Sequence, residues 1–328
     1  MPLLRLSLLT WLALLGLFAT PARASREYVS DSGEIRRFLF FTVQPARDNP
    51  SDQLRHAREL REAGKRKPAL RELERLVLKW PGAPEAPEAQ WQRATLLEEM
   101  GRLQEAFDAF QELLTRYPGE APYTRALESQ VRIAETIEKR RKATFWFFKG
   151  FTTPEQAIPY YESIVASAPS WERAPELLYR VAQIRRGTWE SEECLPVFNR
   201  VIAEYPQSPY AEKAAFARAE VTYADTLNHP NHEERARSAW ADVTLYLTRF
   251  TDRQHTEEAM RMQAELRARL ARFAYDRAVF YDRIARRPAA AITAYEAFVR
   301  DFPISEWTET ARARIAELRS SAPSPTSP

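Results

Sequence analysis

The sequence predicts an all-α fold, a tetratricopeptide-repeat superhelix of about five to six helical hairpins closed by a C-terminal capping helix. Three observations carry this. A small residue is followed twelve positions on by a second small residue, four later by an aromatic or large apolar one, and eight after that by a proline. The pattern runs Ala57, Ala69, Leu73, Pro81, then Ala94, Ala106, Phe110, Pro118, then Ala182, Cys194, Phe198, Pro206. Recurrence at one fixed internal geometry is the mark of a repeat architecture. Eight glycines among 328 residues, 28% charge and 45% hydrophobic residues give a helix-rich chain with ample apolar surface to bury.

Each position has a physical reason. Two antiparallel helices of about a dozen residues approach closely only where facing side chains are small, so an alanine sits midway along each. The aromatic residue fills the gap toward the next hairpin. Gly64 and Gly101 fall just past the first helix, where a left-handed residue ends it without a Cβ penalty. Trp80-Pro81, Tyr117-Pro118 and Tyr205-Pro206 end the second helix, because proline lacks the amide donor.

Other copies are interrupted. Ala157, Tyr161 and Pro169 form the second half of a repeat whose first helix lies around Val131 and Ala134, with an insertion at about residues 139–153 between the halves. Ala219 and Ala239 belong to a repeat stretched by Asn228-His229-Pro230-Asn231-His232. Ala291, Tyr295 and Pro303 follow a long helix over 256–286, and Ser305 is placed to cap a terminal helix over 306–319. The reading is roughly thirteen helices with no convincing strand. The repeat domain spans residues 51–319, after an irregular segment over 25–50 and before a Ser/Pro tail at 320–328 with nothing to pack.

Residues 1–24 read as a signal peptide. Arg5 precedes the apolar run of residues 6–18, and Ala22-Arg23-Ala24 supplies small residues for cleavage before Ser25. Removing this segment takes away two arginines and no acid, so the formal charge falls from +3 to +1. A nearly neutral exported protein is not a nucleic-acid binder. The single cysteine, Cys194, occupies a small-residue slot in a repeat and reads as a buried hydrophobe; it is far from the cleavage point, so no acyl chain is expected there.

No catalytic constellation is present. His56, His229, His232 and His255 have no metal-motif spacing, and the chain holds no phosphate loop, nucleophile elbow or Cys-His arrangement. We therefore expect no enzyme activity, no metal and no cofactor. Two regions remain as partner-binding candidates. Lys139-Arg140-Arg141-Lys142 precedes Phe145, Trp146, Phe147, Phe148 and Phe151, a run whose side chains cannot all face one hairpin core. It reads either as a satellite core over the neighbouring repeat or as a wedge for a partner or a membrane surface. The first helices of the hairpins line the inner face of such stacks, which places Arg58, Thr95, Arg132, Tyr179, Gln183, Phe216 and Glu220 there as a lining for an extended peptide segment. Trp91 fits that lining in one register and the core in the next, and the core is favoured.

The order of these features resembles the BamD family, the tetratricopeptide component of the machine that inserts β-barrel proteins into bacterial outer membranes. The likeness covers residues 51–318. It is greatest in Leu266-Arg267-Ala268-Arg269-Leu270-Ala271, Phe280-Tyr281, Ala290-Ala291-Ile292, Tyr295-Glu296 and Asp301-Phe302-Pro303, and in the link Tyr205-Pro206-Gln207-Ser208-Pro209-Tyr210-Ala211. It implies a form with the aromatic insertion and without the lipoprotein cysteine typical of the family. The function it implies is that of a non-enzymatic periplasmic adaptor at the inner face of the outer membrane. The implied partners are unfolded outer-membrane β-barrel proteins and the periplasmic domains of the barrel-forming subunit, with peripheral membrane contact possible through the insertion. The alternative is another periplasmic tetratricopeptide scaffold, a cell-envelope or cell-division coordinator, although no heptad run precedes Asp52. A peptidoglycan lyase with a helical body would need a catalytic domain for which no residues are left.

Overall fold

A computed structural model describes residues 44–120, 122–142, 151–187, 193–250 and 254–320. The expected signal peptide, most of the 25–50 segment, Phe145 to Phe148 and residues 321–328 of the expected tail lie outside the described residues, while Ser320 closes the last helix. Thirteen α-helices are present among those described. The chain divides into two compact units, one up to residue 121 and one from residue 122.

The first unit is two hairpins, α1 (Pro50–Glu62) with α2 (Arg66–Lys79) and α3 (Ala86–Glu99) with α4 (Leu103–Arg116). Asn49 caps α1 by accepting from the Asp52 amide at 2.8 Å. Gly64 and Gly101 both sit at φ 72°, the left-handed conformation anticipated after each first helix. The repeat positions are core: Ala57, Ala69, Leu73, Ala94, Ala106 and Phe110 are all buried. Trp91 is half-buried with its ring edge-on to Phe110 at 5.4 Å, so it packs on the core. Tyr117 seals the end of the unit by donating from its hydroxyl to the Pro81 carbonyl at 3.1 Å.

A polar clamp inside each hairpin was not anticipated. Buried Gln53 on α1 donates to the Glu72 carbonyl on α2 at 3.1 Å and to its carboxylate at 2.7 Å. Buried Gln90 on α3 donates to the Ala109 carbonyl on α4 at 2.8 Å. Both span nineteen residues, and both lie four positions before the small residue of their helix. Each amide nitrogen ties the two helices of its hairpin together through a buried hydrogen bond, while Gln90 Oε1 is buried without a partner.

In the second unit α5 (Tyr123–Glu138) leads into the insertion. The only strand pairing among the described residues is a two-residue antiparallel ladder, Arg141–Lys142 with Phe151–Thr152, β1 and β2, which leaves the all-α fold intact. Pairing the two ends of the insertion satisfies their backbone groups where the helical register is broken. A single 3₁₀ turn, Pro154–Ala157, then opens α6 (Ile158–Ser167). The remaining helices are α7 (Ala174–Arg186), α8 (Cys194–Glu204), α9 (Pro209–Asn228), α10 (Glu233–Arg249), α11 (Thr256–Val279), α12 (Pro288–Asp301) and α13 (Thr308–Ser320). The small and aromatic positions Ala134, Ala157, Tyr161, Ala182, Cys194, Phe198, Ala219, Ala239, Ala291 and Tyr295 are buried as the pattern requires. Burial raises the pKa of the Cys194 thiol, which keeps it protonated and inert.

Two boundaries move relative to expectation. The long helix ends in a π-helical turn, Phe280–Ile284, rather than running on to residue 286. The terminal helix begins at Thr308, because the Ser305 hydroxyl and carbonyl accept the Trp307 and Thr308 amides in a preceding turn while the Thr308 hydroxyl donates back to the Phe302 carbonyl at 2.8 Å. The C-terminal core gathers Ala271, Ala278, Ala291, Tyr295, Phe298, Ala311, Ile315 and Leu318, with Tyr275 stacked on Trp307 at 5.6 Å against it.

Candidate functional site

The first helices of successive hairpins are joined by charged pairs. In the first unit Arg58 on α1 reaches Glu88 on α3 at 3.3 Å, and Arg61 reaches Glu99. In the second unit Arg173, just before α7, reaches Glu128 on α5 at 2.5 Å, Arg186 on α7 reaches Glu220 on α9 at 3.0 Å, and the Tyr223 hydroxyl on α9 donates to Glu265 on α11. Pairs this exposed contribute little to stability singly, but they give the face formed by these helices a zwitterionic, hydrogen-bonding surface.

Within the second unit that face carries a cleft of about 490 Å³ between α5, α6, α7 and α9. Its floor is an Arg–Glu–Tyr constellation. The Glu138 carboxylate, buried at the end of α5, accepts from the Tyr161 hydroxyl at 2.7 Å and from Arg180 at 3.0 and 2.5 Å. Burial first, then the neighbouring carboxylate, pushes the Tyr161 phenol far up, so it stays a donor at all physiological pH. The wall is aromatic: Tyr179 lies 5.6 Å from Tyr210 and 5.9 Å from Phe198, and Lys213 sits over the Tyr210 ring at 4.8 Å. Gln183 donates to the Tyr179 hydroxyl at 2.5 Å and fixes that ring.

The anticipated lining residues divide accordingly. Tyr179 and Gln183 meet in this cleft. Arg58 and Arg132 are exposed, the latter donating to Ser129 at 2.8 Å, and Glu220 is held by Arg186. Thr95 turns its hydroxyl back to the Trp91 carbonyl at 2.9 Å, spending its donor within the helix. Phe216 differs most: it is 6% exposed, stacked on His255 at 4.0 Å and packed against Tyr246, so it supports the face from beneath. Phe151 lies on β2, at the base of the insertion. Sequence reasoning missed Glu138, Arg180 and Tyr210; the available signal was an acid closing a first helix and an arginine near the middle of the next, forty-two residues on.

A second cleft, about 650 Å³, opens between α10, α11 and α12. Trp240, Leu270, Ala274 and Phe302 form its apolar walls, and Arg267 and Asp301 stand among its polar lining. Arg237 and Arg277 converge on Glu233 at one side, and their hydrogen bonds, Arg277's foremost, hold its carboxyl below the usual range.

A tetratricopeptide-repeat family profile matches residues 54–121, and the profile of the outer membrane lipoprotein family YfiO matches residues 188–317. The first coincides with the two hairpins of the first unit, which are similar to tetratricopeptide repeats, and the second with α8 to α13, so the C-terminal part of the chain is similar to that lipoprotein family. No curated protein matches it. Solved structures are similar to the chain at low identity. The tetratricopeptide domain of P58(IPK) is 18% identical over 83% of this chain and 69% of its own, with a TM-score of 0.34. The C-terminal part of a repeat-containing protein from Cytophaga hutchinsonii is 16% identical over 85% and 92%, with a TM-score of 0.31. A tetratricopeptide repeat protein from Parabacteroides merdae is 11% identical over 82% and 98%, with a TM-score of 0.27.

Proposed function

We propose that this protein is a non-enzymatic adaptor of the outer-membrane β-barrel assembly machinery, a BamD-like subunit working at the periplasmic face of the outer membrane. The observation that carries the reading is the match of residues 188–317 to the outer membrane lipoprotein family, on the helices that bear the apolar cleft of α10, α11 and α12. The C-terminal cleft then receives the periplasmic part of the barrel-forming subunit. A groove with Trp240 and Phe302 in its walls and charged groups of both signs in its lining has the anatomy of a docking site, an apolar centre within a polar margin.

The cleft of α5 to α9 serves the second partner, an unfolded barrel strand. An extended segment offers unpaired backbone donors and acceptors with side chains on alternate sides. Tyr179 and Tyr210 supply stacking area, and Arg180 and Gln183 supply hydrogen-bonding capacity near it. The basic-aromatic insertion, Phe145 to Phe148 with Phe151, adds a contact to a partner or to the membrane surface. Repeat scaffolds carry partners on shape, and no residue here is assigned a catalytic role.

Affinity purification of the tagged protein from detergent-solubilised envelope tests this. Recovery of the barrel-forming subunit supports the adaptor; recovery of cell-wall or division proteins without it replaces the adaptor by the envelope-scaffold reading.

A further inference from the structure

The C-terminal end of α11 is built unlike any other helix end in the described chain. Its last turn is π-helical over Phe280–Ile284, and Arg286 then takes φ 51°, the sole described non-glycine residue with positive φ. The Ala285 amide donates to the Phe280 carbonyl and the Arg287 amide to the Tyr281 carbonyl, both at 2.9 Å, which fixes the turn. The inward side of the turn is anchored: Asp282, 4% exposed, accepts from Arg314 at 2.8 and 2.9 Å and from the Tyr295 hydroxyl at 3.4 Å. The outward side presents Ile284, 71% exposed, and Phe280, 48% exposed, beside the exposed Arg283, Arg286 and Arg287. No described carboxylate forms an ion pair with any of these three arginines. Asp276, one turn earlier, faces Arg272 at 3.7 Å.

We propose that this tip is a membrane-surface contact: Phe280 and Ile284 enter the headgroup boundary of a phospholipid layer while Arg283, Arg286 and Arg287 meet anionic headgroup phosphates. Charge complementarity selects the occupant, since the acid of the turn is held inward by Arg314, Asp276 one turn earlier is paired with Arg272, and the exposed charges of the turn itself are all cationic. The form of the tip favours lipid over an acidic protein domain. Neither Phe280 nor Ile284 lines a described cleft, and a projecting apolar pair ringed by arginines needs no matching cavity in a lipid surface. A left-handed arginine held by a fixed turn keeps the cationic ring in place where glycine would be the easier residue. The inference stands apart from the barrel-assembly reading and does not require it.

The test is co-sedimentation of the protein purified from the envelope with two kinds of vesicle, phosphatidylethanolamine with phosphatidylglycerol, and phosphatidylcholine alone. We expect binding to the anionic vesicles that falls steeply with salt, at least a tenfold loss in the Phe280→Ser/Ile284→Ser variant, and a similar loss in Arg283→Gln/Arg287→Gln. Arg286→Gly separates fold from contact: it is expected to melt no lower than wild type, because glycine suits the left-handed site, yet to bind anionic vesicles more weakly. Wild-type sedimentation of all three variants would overturn the proposal. So would variants that bind vesicles normally but lose a co-purifying protein, which would make the tip a protein-docking surface.

Discussion

Arg314 reaches from α13 to the turn after α11 and holds the Asp282 carboxylate from two nitrogens, Nε at 2.8 Å and a terminal nitrogen at 2.9 Å. The hydrogen bond from Arg314 is the chief cause that keeps the Asp282 carboxyl below its usual range, and burial together with Asp282 lifts the Tyr295 phenol to about 12. Asp242 on α10 is the opposite case. Arg218 bonds one of its oxygens at 2.6 Å, the other is buried without a partner, and burial pushes its pKa up.

The two carboxylates therefore give stability of opposite pH dependence. The contribution of Asp282, whose folded pKa is lowered, is complete above its unfolded value near 3.9 and is lost as pH falls through the folded value. The contribution of Asp242, whose folded pKa is raised, is complete below the unfolded value and is lost as pH rises through the folded one. Urea midpoints at pH 3 and pH 6 should show the deficit of Asp282→Asn growing with pH. The deficit of Asp242→Asn should shrink over the same interval. Parallel changes in the two variants would contradict these assignments.

The small positions tolerate no added volume. Ala94→Trp or Ala106→Trp overpacks a helix contact and is expected to cost about 1–3 kcal/mol or more. Glu74→Gln, at a half-exposed site beside Arg93, should stay within about 0.5 kcal/mol. Chemical denaturation monitored by circular dichroism at 222 nm distinguishes them, and equal effects would place these alanines outside the helix contacts.

The glutamine clamp makes a separate prediction. Gln90→Ala removes the donor to the Ala109 carbonyl and opens space between α3 and α4, so a loss of about 1–2 kcal/mol is expected. Faster amide exchange confined to the first unit would accompany it. A variant as stable as wild type would show that helix packing alone holds the hairpin.

In the α5–α9 cleft, Glu138→Ala leaves the buried Tyr161 hydroxyl without its acceptor and frees Arg180. A destabilisation of about 1–3 kcal/mol is expected. Tyr179→Ala should leave stability nearer to wild type and weaken binding of an unfolded barrel-strand peptide several-fold by fluorescence anisotropy. Unchanged peptide affinity in Tyr179→Ala would remove this cleft from the client path.

The repeat was legible because its determinants are local: Ala57, Ala94 and Ala182 recur at fixed offsets from their partners, and a proline or glycine marks the helix ends of those three repeats. The inner-face geometry was only partly so. Tyr179 and Gln183 fell where the register placed them, whereas Phe216 is buried by His255, a residue thirty-nine positions away that no repeat consensus specifies. Glu138 and Arg180 meet across hairpins at a separation lengthened by the insertion, so the periodic offset that finds a core alanine does not find them. The π-helical end of α11 follows no periodic signal, and the glutamine clamp was visible only as Gln53 and Gln90, each four residues before a core alanine.

The central claim is that the α10–α12 cleft docks the barrel-forming subunit. A photoreactive side chain placed at Leu270, in the wall of that cleft, tests it in living cells with the same probe at half-exposed Glu74, in the other unit, as the control. The account predicts an adduct with the periplasmic part of the barrel-forming subunit from position 270 and none from position 74. Adducts from position 270 only with cell-wall or division proteins, or none with the barrel-forming subunit, would contradict it.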